Sequence, residues 1–91
     1  MEKEKIIDTI ERNYRGNAYR YFEALYRSHK EKSEEWWTQV EISIRIVWEV
    51  GEILDKIGLK NRRNEIWKEE EKSIKEYCKD YDEVIRQPFD K

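Results

Sequence analysis

The sequence predicts an all-α fold, a small antiparallel three-helix bundle that runs up, down and up as a single domain over residues 1–91. Three observations carry that expectation. Apolar residues recur every three or four positions along three long segments, the alternating pattern of strands is missing, and Ser33 and Gly58 punctuate the joins. The segments cover about residues 3–31, 34–57 and 62–86, or roughly 36 to 44 Å each at 1.5 Å per residue. Similar lengths and short joins favour neighbours that alternate in direction.

In the first segment Ile6, Ile10, Tyr14, Ala18, Tyr21 and Leu25 keep helical phase. Gly16 interrupts the composition without disturbing that phase, so the helix is expected either to kink there or to break, with Asn17 capping a second piece. Ser33 then precedes "EEWW", an N-cap followed by acids in the first turn, where the helix dipole favours negative charge. Trp37, Val40, Ile44, Val47, Gly51 and Leu54 form a regular seam on the second helix. Ile42, Ile46, Val50, Ile53 and Ile57 extend its apolar surface past half the circumference. A helix of that kind touches two neighbours, which makes the second helix the expected centre of the fold and self-association an expected property.

Gly58 is placed to end the second helix in the left-handed conformation, with Leu59 folding back onto Leu54. Asn61 is the expected cap of the third helix, whose apolar positions include Ile66, Trp67, Ile74, Tyr77, Cys78, Tyr81 and Val84 and whose end is set by Pro88.

Composition narrows function. The chain is 44% charged yet carries four Trp and six Tyr, which argues for a packed core and against disorder. Formal charge is −2, but it is uneven: Arg12–Lys32 holds six Lys and Arg against two Glu, and Ser33–Ile57 holds two against six acids. Such blocks can attract each other within one chain or between two. A single cysteine, Cys78, permits no internal disulfide. With no apolar run near the ~20 residues of a membrane span, the expectation is a cytoplasmic protein without membrane attachment.

Catalytic, cofactor and metal constellations are not expected. His29 is the sole histidine and has no Cys, Ser or carboxylate at a triad or metal spacing. The three glycines are isolated, so no phosphate loop is written. The hexapeptide "RGNAYR" resembles the opening of a helix in Fis-type helix-turn-helix proteins, but "RSHKEKSEEWW" then supplies no Gly turn and leads into acid. No family is assigned on it.

Two kinds of binding surface are written more plainly. Trp48 falls beside Glu41 and Glu52 at the border of the polar stripe, and Trp67 has few apolar neighbours on its own helix; aromatics so placed serve as interface residues. Arg12, Arg20, Arg27 and Lys30 share one flank of the first helix with Tyr19 and Tyr26 at its border. Arg62 and Arg63 stand at the start of the third helix, where the dipole disfavours cations and a partner carboxylate or phosphate would explain them. The first set points to a non-catalytic protein-binding module, a helical adaptor, regulator or inhibitor acting as a homodimer. The alternative is nucleic-acid binding along the Arg and Tyr flank.

Overall fold

The computed structural model describes residues 2–87, all of whose regular elements are helices: α1 (Glu2–Glu31), α2 (Glu34–Lys56), α3 (Lys60–Tyr77) and the short α4 (Tyr81–Arg86). Pro88, expected to close the third helix, lies outside the described residues. The molecule measures 48 × 23 × 17 Å, and its long dimension is essentially that of α1.

α1 runs unbroken through Gly16, so of the two alternatives the break does not occur and Asn17 caps no second piece. Its side-chain amide instead donates to the Asn13 carbonyl 2.8 Å away, one turn back. The helix closes at Lys32, which adopts φ +53°, while the Ser33 amide reaches back to the Ser28 carbonyl at 3.2 Å. Ser33 then caps α2 as expected, its hydroxyl accepting from the Trp36 amide at 3.3 Å. One serine therefore ends one helix and begins the next.

The end of α2 also follows expectation. Gly58 sits at φ +85°, its amide bonds Asp55 O at 3.1 Å, and the Leu59 amide bonds Leu54 O at 2.8 Å. This pair of bonds is the Schellman arrangement. α3 starts earlier than the sequence implies: Leu59, not Asn61, is its N-cap residue, and it makes no side-chain cap bond. Because the Leu59 backbone is held by the preceding helix end, the next turn can begin at Lys60 without a polar cap.

The expected third helix is two helices. α3 stops at Tyr77, Cys78 takes an extended conformation (φ −111°, ψ 93°), and α4 restarts at Tyr81. Apolar phase survives across this break because Tyr81 and Val84 both return to the core, which is why the pattern alone reads as one helix.

Packing corrects a second expectation. α1, not α2, is the central element: it contacts α2, α3 and α4, whereas α2 packs chiefly on α1 and touches α3 lightly. One cluster joins Tyr14 and Ala18 to Val47, Leu54 and Ile66; another joins Phe22 and Tyr26 to Ile74, Tyr81 and Val84. Tyr14 approaches α2 so closely that a Cβ on Gly51 would lie 3.3 Å from its ring and 3.1 Å from Arg63 Cδ. His29 meets Trp37 edge-on at 6.3 Å near the other end of the α1–α2 contact.

The glycines give a paired test. A Cβ at Gly16 would meet nothing within 4 Å, so Gly16→Ala is expected to stabilise the protein by about 1 kcal/mol through helix propensity. Gly58→Ala should destabilise it by about 1 kcal/mol by forcing a Cβ into the left-handed region. Thermal melts should show opposite shifts, each of roughly 4–8 °C for a domain of this size.

Candidate interaction surface

α2 places its side chains on three sides. The face with Val40, Ser43, Val47, Gly51 and Leu54 is buried. Trp48 is turned to one side of it and is 70% exposed, whereas Trp36, Trp37 and Trp67 are half-buried. It stands between two shallow depressions. One, of about 400 Å³, opens between α2 and α3 over Tyr14, Ile44, Val47 and Trp67, with Asp55 and Arg63 at its rim. The other, of about 570 Å³, lies along α2 among Glu41, Ile44, Arg45, Glu49 and Glu52. The light contact between α2 and α3 is what leaves the first one open.

The electrostatics of the two depressions differ. Arg63 Nε donates to Asp55 at 2.5 Å, so those rim charges neutralise each other. Glu41, Glu49 and Glu52 make no ion pair among the described residues, and Arg45 is the single cation beside them. The Trp48 edge is therefore a large apolar ring in a mildly acidic frame.

Trp67, the other expected border residue, is not available in the same way. It is half-buried between Phe22 and Tyr21, with ring centroids at 4.5 and 5.5 Å. Residues of α1 supply the apolar neighbours that its own helix lacks, and only its edge reaches the depression beside Trp48.

The basic residues are occupied to a degree the sequence does not reveal. Arg12 bonds Asp8 at 2.9 Å, and Arg27 lies between Glu23 and Glu31 at 3.7 and 3.4 Å while its guanidinium covers the Trp36 ring at 5.3 Å. Arg62 finds Glu11 at 3.1 Å and Glu65 at 3.4 Å. The carboxylate that its position at a helix start demands is thus in the same chain, and the same holds for Arg63 with Asp55. Arg15 forks to Glu69 and Glu70 across α1 and α3 at 2.9 and 2.6 Å. Arg20 alone of the candidate arginines makes no ion pair among the described residues. It borders a depression with Glu23, Glu35, Trp36 and Gln39.

Tyr26 corrects the flank most directly. Expected at the border, it is 8% exposed, stacks on Tyr81 at 6.1 Å, and cannot present its face to a base. Its hydroxyl donates to Asp80 at 2.6 Å and accepts from Lys30 at 2.8 Å, and Lys30 also reaches Asp80 at 3.1 Å. Tyr19 is half-buried against the second cluster. The α3–α4 break makes this triangle, since it carries Asp80 to the end of α1. Sequence reasoning missed Asp80 because a helix drawn straight through it gives its carboxylate no inward partner.

Comparison with protein-family models, with curated proteins and with solved structures finds no match to this chain. Among the described residues there is no cluster of metal-ligating side chains and no helix long and apolar enough to cross a membrane.

The Tyr26–Lys30–Asp80 triangle predicts a pH dependence. The Tyr26 hydroxyl, and then Lys30, hold the Asp80 carboxyl below its ordinary 3.8. Its contribution to stability is therefore complete above about pH 4 and is lost as pH falls through the lowered folded value. Hydrogen bonds with Tyr26 and Asp80 raise Lys30 from 10.5 to about 12, so its contribution is complete below its ordinary value and lost as pH rises through about 12. Asp80→Asn should melt lower than the parent at neutral pH, and the gap between them should narrow on acidification. A gap that is constant down to about pH 2 contradicts the ion-pair assignment.

Proposed function

We propose that this chain is a non-catalytic protein-binding module, a small helical adaptor, regulator or inhibitor that docks a partner protein on the Trp48 edge of α2. One observation carries the reading: Trp48, 70% exposed, stands between two depressions on the side of α2 that α3 leaves open. A large exposed aromatic beside such a groove is what a binding surface needs, because aromatic anchors dominate interface energetics once buried.

On this reading the arrangement is up-down-up, with α3 and α4 together as the third arm. His29 beside Trp37 and Tyr14 beside Gly51 support opposed directions for α1 and α2. Glu11 with Arg62, Arg15 with Glu69, and Tyr26 with Asp80 support a common direction for α1 and α3. In that arrangement α1 forms the floor beneath α2 and α3, and the groove between them admits a helical or extended segment of a partner. Trp48 would supply the apolar anchor. Glu41 and Glu52 favour a segment bearing Lys or Arg, since they make no ion pair among the described residues.

Trp48→Ala separates binding from folding. With 70% of the residue in water, its truncation should change stability by no more than about 0.5 kcal/mol. Loss of a central tryptophan anchor should weaken the complex by at least about 2 kcal/mol, or some 30-fold in Kd. A photo-crosslinking residue at position 48 should trap a discrete protein in host cells, and the same residue at Lys72 on exposed α3 should not. Equal trapping at both positions rejects the Trp48 edge, and trapping of nucleic acid instead rejects the protein-binding reading.

A further inference from the structure

The isoleucines of α2 form a second surface, distinct from the Trp48 edge. Ile53 lies about 140° around the helix from Trp48, and Ile42, Ile46, Ile53 and Ile57 fall within about 60° of one another. Ile42, Ile53 and Ile57 are almost equally exposed, at 47, 46 and 48%, and Ile46 is half-buried. The result is a ridge about 22 Å long at 1.5 Å per residue. Among the described residues no element lies over it: the buried face of α2 is covered by α1, and α3 approaches on the side of Gly51 and Asp55.

The spacing along the ridge identifies its occupant. From Ile42 the steps are four, seven and four residues, a sequence that reads the same in both directions about the midpoint between Glu49 and Val50. A second copy of α2 laid against the first with opposite direction then sets Ile42 against Ile57 and Ile46 against Ile53, twice over. A two-fold interface requires such self-complementarity, because each contact must occur in both senses. An unrelated partner would place no such requirement on the spacing. The rim does not add to this: beside the ridge stand Arg45, Glu49 and Lys56, and the pairing sets Glu49 near its own copy and Arg45 near the second copy's Lys56, so the isoleucines must outweigh like charges at the edge. The Trp48 edge, bordered by Glu41 and Glu52, would bring acid against acid in the same role.

We infer that two copies of this chain associate through the Ile42–Ile57 ridges of α2, packed in opposite directions about a two-fold axis that passes beside Glu49 and Val50. The Trp48 edges then remain outside the contact, one on each copy, so the dimer presents two partner sites. The inference stands independently of what docks at Trp48.

Sedimentation equilibrium of the full chain from about 1 to 500 μM should show a reversible monomer–dimer transition, in the range expected for a small interface. Ile53→Glu should raise the dissociation constant at least tenfold, and Trp48→Ala should leave it within a factor of two. Register is read by cysteine cross-linking, which also serves if Ile53→Glu fails to fold. Glu49→Cys, close to the axis, should form a disulfide-linked dimer under mild oxidation. Glu35→Cys, on the same side of α2 but some 40 Å from its own copy in this register, should not. The unsubstituted chain, with Cys78 half-buried, sets the background. A monomer throughout the concentration range, a dimer indifferent to Ile53→Glu, or equal cross-linking at positions 35 and 49 overturns the inference. None of these outcomes bears on the capture of a partner at position 48.

Discussion

The close contact of α1 with α2 is the constraint on which the remaining structure depends. Small side chains make it. α1 buries Ala18, Ala24 and Ser28 and α2 buries Ser43 and Gly51, each hidden from solvent although none carries more than two heavy atoms beyond Cα. Small side chains let two helix backbones come close, as where Tyr14 approaches Gly51. Among the described residues the buried Ser43 hydroxyl makes no hydrogen bond. An unmade hydrogen bond of this kind costs roughly 1–3 kcal/mol, a large share of a small domain's stability. The neighbouring burial of Tyr14, Val47 and Leu54 must outweigh it.

Once α1 and α2 are joined this tightly, α1 has its other flank left for α3 and α4, and α2 has little left with which to meet α3. Ion pairs between elements accordingly follow α1 and the α2–α3 turn: Arg15 with Glu69 and Glu70, Arg62 with Glu11, Lys30 with Asp80, and Arg63 with Asp55. Exposed pairs contribute only about 0–1 kcal/mol each, so they are better understood as fixing the position of α3 than as supplying stability. They also explain why a chain with 19 Lys and Arg presents few uncommitted arginines on the flank of α1. Arg12, Arg15, Arg27 and Lys30 of α1 each pair with an acid one turn or one helix away.

How much of this could be read from the sequence depended on whether a feature was local. Ser33 as cap, Gly58 as left-handed stop and the seam of Val40, Val47 and Leu54 each express local chemistry, and each is present in the structure. The break at Cys78 was not legible, because Tyr81 and Val84 keep helical phase across it and Lys79–Asp80 lacks a glycine or proline. Which helix is central was not legible either. Apolar width marks α2 for two neighbours, but the small residues that draw α1 against it, Ala24, Ser28 and Ser43, register in no hydrophobic pattern. At the surface, Trp48 was identified by its place between Glu41 and Glu52. Tyr26 was misplaced because its burial depends on Tyr81 and Asp80, 54 or more residues away along the chain.

The width of the apolar surface on α2 thus has a different meaning from the one its periodicity first implies. A helix that is apolar over more than half its circumference is expected to lie between two layers, and within one chain α2 lies against a single layer, α1. The unmatched portion divides into an aromatic edge framed by acids and an isoleucine ridge framed by mixed charge. These two surfaces differ in chemistry as well as in direction. The acid frame of the Trp48 edge favours an unlike, basic partner, whereas the ridge offers a like copy its self-complementary spacing. On the proposed reading one 23-residue helix serves one internal contact and two external ones. Any substitution that widened the ridge toward Trp48 would merge the two proposed surfaces, which Arg45, Glu49 and Lys56 now separate.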